Sequence, residues 1–213
     1  MTRKLTALTF TGSLLFFVMA ILFYRGGNYS NDTVYFQWIT NYISDLGLVY
    51  ISAASQPYVR WFFGLTMFLM GLSIVGTIIN YSETVSSKSK RFYLSLSVTV
   101  AALATAIPLL PADVYQLAHR NTFVLLLITA ALLWLMLSRQ LAKVKRYQKL
   151  AVIFTDVTLW GYLGFVLIVP RPETSLYYSM FHAQVEKSVF LVFLFCLGIL
   201  IFDFPNRKFR YTK

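Results

Sequence analysis

His119 and His182 are the only imidazoles among 213 residues, and acids stand near both. His182 lies four residues before Glu186, so on a helix the two share a face one turn apart. His119 follows Asp113 by six residues, beyond the segment Pro108-Leu109-Leu110-Pro111. A third acid, Asp45, belongs to Asn41-Tyr42-Ile43-Ser44-Asp45-Leu46-Gly47, a short polar stretch among apolar and aromatic residues. Two imidazoles with two or three carboxylates match a zinc or similar divalent site in ligand type, with His119, His182 and Asp113 as the ligand set. Asp45, Asp113, His119, His182 and Glu186 equally suit general acid–base work on a lipid headgroup without a metal. Asn41, Ser44 and Arg120 are the neighbouring groups that would bind by hydrogen bonds or charge.

Each of these residues also has a plainer role. Asp45 can be a solvated acid at a helix end. Asp113 can cap the turn that follows it. His119 can be an interfacial histidine bonded to water or backbone, and His182 with Glu186 an ordinary pair on a helix surface. No G-x-S-x-G nucleophile motif, Walker motif or G-x-G-x-x-G loop occurs.

The elements that must position these groups are apolar helices. The chain is 58% hydrophobic and 13% charged, against about 25% charged in soluble domains. Six apolar runs stand out, approximately Leu5–Tyr24, Trp61–Asn80, Phe92–Leu110, Thr122–Leu137, Leu150–Val169 and Ser188–Phe204. Each approaches the roughly 20 residues that a span requires. The expected fold is an all-α polytopic bundle of six transmembrane helices, with residues 1–213 as one integral membrane domain. The first run follows Arg3 and Lys4 as a signal peptide would. Phe23-Tyr24-Arg25 replaces a small-residue cleavage site, so it reads as an uncleaved span.

The formal charge of +11 reads as topology. Fourteen of the nineteen Lys and Arg residues fall at the two termini and in the second and fourth connections, leaving Arg25, Arg60, Arg120, Arg171 and Lys187 in the others. The positive-inside rule then predicts an integral membrane protein with both termini in the cytoplasm, in the plasma or inner membrane if the source is prokaryotic. Asp45, Asp113, His119, His182 and Glu186 all fall on the outer side. The basic inner rim favours anionic headgroups. No basic face with stacking aromatics stands apart from the spans, which argues against nucleic acid as a partner.

In the long first outer connection, Tyr35, Trp38, Ile39, Tyr42, Ile43 and Leu46 recur at steps of three and four. That predicts a short amphipathic helix of about three turns lying along the interface. Asn41, Ser44 and Asp45 lie on its polar face, with Gly47 as its C-terminal cap. Asp45 would then oppose the helix dipole.

Four features remain. Asp156 lies inside the fifth run near Thr155 and Thr158, as a structural partner of an inner Lys or Arg or as a functional acid. Cys196, the single cysteine, reads as a small embedded apolar residue and forms no disulfide within the chain. Asn28 and Asn31 begin outer N-x-S/T sequons, open to glycosylation in a eukaryotic source. Bis-histidine haem requires both imidazoles inside facing helices, which their places near span ends disfavour.

Ile43-Ser44-Asp45-Leu46-Gly47 after the first span, with Pro111-Ala112-Asp113 and His119 before the fourth, resembles a bacterial and archaeal family of six-span membrane proteins without an assigned activity. More distantly the motif is similar to the eukaryotic DRAM-like, Sfk-type and lipid-remodelling GPI-anchor proteins. The first group often carries Glu-Arg before the last span where this chain has Glu186-Lys187, so an Arg-dependent bidentate contact is not carried over. The second resemblance implies a role in lipid or membrane organisation. The expected function is therefore binding of membrane lipids, a membrane-protein partner or a second copy of the chain. The alternatives are a membrane-embedded hydrolase or transferase acting on lipid headgroups with a divalent metal as its cofactor, and a small transporter or channel subunit, which the sparse intramembrane charge disfavours.

Overall fold

The computed structural model describes residues 1–24, 36, 41–48, 50–51, 54–55, 57–82, 87–140, 146–169 and 176–203. Among these, six helices are long and apolar enough to cross a membrane. They are α1 (Arg3–Phe23), α2 (Pro57–Ser82), α3 (Ser87–Ala106), α4 (Gln116–Gln140), α5 (Arg146–Ile168) and α6 (Leu176–Phe202). Each packs on the next in chain order, and α6 returns to α1, so the helices close a ring. The chain is an all-α six-helix bundle with the architecture of an integral membrane protein.

In hydrocarbon every polar group needs an internal partner. Embedded hydroxyls therefore turn back onto their own helices: Ser73 donates to the Leu69 carbonyl at 2.8 Å and Thr77 to that of Ser73 at 2.7 Å. Ser73 also meets the Thr9 hydroxyl at 3.0 Å and ties α2 to α1. A Cβ at Gly71 would stand 2.9 Å from the Cβ of Ala101, so glycine permits the close approach of α2 and α3. Leu8, Leu22, Phe154, Ile168 and Phe195 face outward, as a lipid-facing surface requires.

The two ends of the bundle differ. At the basic end, Arg3 donates to the Phe202 carbonyl at 2.6 Å and Tyr81 to that of Leu200 at 3.4 Å, satisfying carbonyls that the end of α6 leaves without intrahelical partners. Cys196 is buried, as its apolar surroundings suggest. Asp156 is buried on α5, where Trp160 and Arg139 act on its carboxylate. Asn28, Asn31 and Pro170–Glu173 lie outside the described residues.

At the other end, the described part of the first connection differs from the expected interfacial helix. Tyr42 is extended, Ile43–Gly47 is a 3-10 helix, and a short hairpin follows, pairing β1 (Tyr50–Ile51) with β2 (Ala54–Ser55). The rest of the expected helix lies outside the described residues. The 3-10 helix does not lie on a surface. Ile43, Leu46 and Leu48 are buried with Phe17, Ala20, Phe63 and Ile107, so the motif is a plug set into the bundle. Gly47 is a contact residue and not a left-handed cap: a Cβ there would lie 3.2 Å from the Phe63 ring, and Leu48 is the cap.

Candidate functional site

The plug is built around Asp45. Its Oδ2 accepts the Tyr42 backbone N–H at 2.8 Å and the Asn41 side-chain amide at 3.3 Å. Asp45 therefore occupies the first turn of a helix, where a carboxylate meets unsatisfied N–H groups and the positive end of the dipole. The expectation that it opposes a helix C-terminus fails because the helix begins at Ile43, two residues before Asp45. Asn41 also donates to the Tyr24 hydroxyl at 3.3 Å, connecting the plug to the end of α1. Burial, with the nearby Asp45 carboxylate second, raises the Tyr24 phenol well above its usual 10, so it stays neutral.

The second wall of the site is α6. This helix begins at Leu176, so His182, Glu186 and Lys187 lie within it and not in a connection. All three are buried, with Lys187 at 1% exposure. The Ser44 backbone N–H donates to Glu186 Oε1 at 3.1 Å, joining residues 142 positions apart. Lys187 interacts electrostatically with Glu186 and Asp45. Two carboxylates from different segments thus offset part of the cost of burying Lys187. The His182 ring packs against Phe165 of α5, with centroids 4.5 Å apart.

The structure treats the other candidates differently. His119 lies in the first turn of α4, and its Nδ1 is 2.7 Å from the Leu110 carbonyl. A carbonyl only accepts, so Nδ1 carries the proton. This is the backbone-bonded histidine of the plainer reading, and it fastens α4 to the 3-10 segment Ile107–Leu109 that ends α3. Asp113 sits half-buried within a turn closed onto the Pro111 carbonyl, at 3.1 Å from the Val114 nitrogen and 2.8 Å from that of Tyr115. Arg120 is exposed. Among the described residues no three His, Cys, Asp or Glu side chains come close enough to share an ion. His119, His182 and Asp113 therefore do not form the expected ligand triad. The structure instead brings Asn41, Ser44, Asp45 and Glu186 together with Lys187 and Tyr24, which the sequence reading had not selected.

Beneath the plug lies a cavity of about 120 Å³. Helices α2 to α6 line it with side chains such as Met67, Ala104, Leu127, Leu159 and Phe193, and Ile43, Ser44 and Glu186 form its end at the plug. From Glu186 to Phe193 the wall follows α6 for two turns, about 10 Å at 1.5 Å per residue. The lining is apolar except for Ser44, Tyr162 and Glu186. Its volume is comparable to the roughly 150 Å³ of apolar cavities that take small hydrocarbons.

Comparison with protein-family models, curated proteins and solved structures returned no match to this chain.

Proposed function

We propose that the chain is an integral membrane protein that binds a lipid by seating one of its alkyl ends in the bundle cavity, with the polar end at Ser44 and Glu186. The observation that carries this reading is the cavity itself: an apolar space among five helices, with Ile43 and Ser44 of the plug and Glu186 of α6 among the residues that line it. Methionines in the lining, Met67 and Met70, adapt to a flexible chain. The resemblance of the plug motif to proteins of lipid and membrane organisation agrees with it. So does the packing of His182 on Phe165 and of Glu186 on Ser44, which gives both a structural role. With the basic end in the cytoplasm, as its charge favours, the plug would face outward and the lipid would come from the outer leaflet.

The test is photolabelling in bilayer vesicles with a lipid that carries a diazirine near its chain terminus. Adducts should map to cavity residues such as Met67, Leu127 and Phe193. Ala130→Leu, which fills the cavity, should remove them and leave adducts on the lipid-facing surface unchanged. Labelling confined to that outer surface in the native chain would reject the reading.

A further inference from the structure

The connection between α3 and α4 is apolar where a loop in water is polar. From Leu109 to Ala118 the only acidic or basic residue is Asp113, and it is half-buried. Leu109 is 65% exposed and Leu117 71%, with Val114 and Tyr115 between them half exposed. These side chains continue faces already turned to lipid. On α3 the exposed positions Phe92, Ser95, Thr99 and Ala102 step by three and four, and Leu109 follows Ala102 by seven residues, about two turns. On α4 the exposed Leu117, Asn121, Leu125 and Leu132 step by four and seven. The lipid-facing surface therefore runs on from both helices into the turn that joins them.

The backbone of that turn gives an independent observation. The Pro108 carbonyl accepts from Arg60 Nε at 3.0 Å and the Leu109 carbonyl from Arg60 Nη2 at 3.5 Å. The Leu110 carbonyl accepts from His119 Nδ1 at 2.7 Å, and that of Pro111 from the Val114 and Tyr115 N–H groups at 3.1 and 2.8 Å. Four successive carbonyls are thus met by protein donors, three of them by side chains reaching over from α2 and α4. An exposed loop in water has no need of this, whereas irregular backbone at membrane depth must be satisfied internally. Arg60 itself is half-buried and stands beside the exposed rings of Tyr58 and Trp61. Basic and aromatic side chains grouped in this way mark the headgroup level of a bilayer.

We infer that Leu109–Leu117 is set into the membrane at the boundary between headgroups and acyl chains, as a lipid-contact surface and not a loop in water. This rests on the six spans and is independent of what fills the cavity. It also gives the bonds made by Arg60 and His119 a purpose: they close the backbone of a segment that water does not reach.

The experiment places a nitroxide at Leu109→Cys, Val114→Cys or Leu117→Cys in a chain carrying Cys196→Ala, reconstituted in phosphatidylcholine vesicles. Power-saturation EPR then compares access by oxygen, which concentrates in hydrocarbon, with access by a nickel chelate, which stays in water. Leu125→Cys, outward within the span, and Lys90→Cys, exposed at the basic end, are the reference positions. The oxygen-to-nickel ratio at all three test positions should exceed that at Lys90→Cys by about threefold or more and fall below that at Leu125→Cys. A ratio equal to that at Lys90→Cys would place the connection in water and overturn the inference. Low access by both reagents would show protein covering the segment, a second copy or another partner, and would overturn it as well. Should Cys196→Ala fail to fold, the native chain decides, labelled with a lipid that carries a diazirine near its glycerol end. Adducts should then fall on Leu109, Val114, Tyr115 or Leu117. Their absence, with Tyr58 and Trp61 labelled, would reject the placement.

Discussion

Ser44 and Glu186 are joined by a backbone N–H to carboxylate bond of 3.1 Å, which fastens the plug to α6. Through it a motif from the first connection and a helix from the end of the chain share one wall of the cavity. Removing the acceptor with Glu186→Ala leaves a buried N–H and a buried Lys187 without this carboxylate. The expected loss is about 2–4 kcal/mol of stability. Glu186→Gln retains an acceptor and should lose less than half as much. Thermal unfolding in detergent compares the two, and equal losses would count against the bond.

Lys187 tests the same cluster from its cationic side. Lys187→Met keeps the stem volume but leaves Asp45 and Glu186 buried without it. Breaking a buried charge group from one side costs about 3–5 kcal/mol. The double variant Lys187→Met with Glu186→Gln should recover at least half of that. A double variant with additive losses would show that the two side chains do not interact.

Gly47 is expected to respond to size. Alanine there places a Cβ 3.2 Å from the Phe63 ring, so Gly47→Ala should lower stability by about 1 kcal/mol and Gly47→Val by more. Phe63→Leu should relieve part of the Gly47→Val loss, because the clash is with the ring. Losses that simply add across the two positions would point to the backbone and not to the contact.

His119 provides the contrast. His119→Ala removes the bond to the Leu110 carbonyl and should cost about 1–2 kcal/mol. Cavity photolabelling in this variant should stay within twofold of the native chain, measured below its unfolding temperature. A selective loss of labelling would return His119 to the functional set.

Tyr24 predicts the alkaline limb. Its phenol is raised above the usual 10 in the folded chain, so its contribution to stability is fully present below pH 10 and falls as pH rises beyond. Tyr24→Phe should flatten part of that fall while costing little at pH 7 beyond the Asn41 bond. Unfolding midpoints across pH 8 to 11 measure it, and an unchanged slope would contradict it.

The six spans were legible because hydrocarbon imposes a requirement that a hydropathy count reads directly. Their ends were not. His182, Glu186 and Lys187 interrupt the apolar run of the last span, so the sequence reads as a connection where α6 continues. Besides its neighbour Glu186, Lys187 interacts with Asp45, which is 142 residues away in sequence and invisible to any local window. Of the helical stripe Tyr42, Ile43 and Leu46, the last two are buried, but packing against Phe17 and Phe63 holds Ile43–Gly47 as a 3-10 plug. Grouping Asn41, Ser44 and Asp45 with Glu186 on one side was sound. Joining His119 with His182 and Asp113 in one ligand set was not, because no three such side chains converge among the described residues. The cavity arises from how five helices fail to fill their centre, and no residue type announces that.

The most direct measurement is the position of diazirine adducts on the native chain in vesicles. Adducts on Met67, Leu127 and Phe193 that vanish in Ala130→Leu, with that variant as stable as the native chain or about 1 kcal/mol more so because the void is filled, are the expected result. Adducts only on outward residues such as Leu22 and Phe195, unchanged by Ala130→Leu, would contradict it.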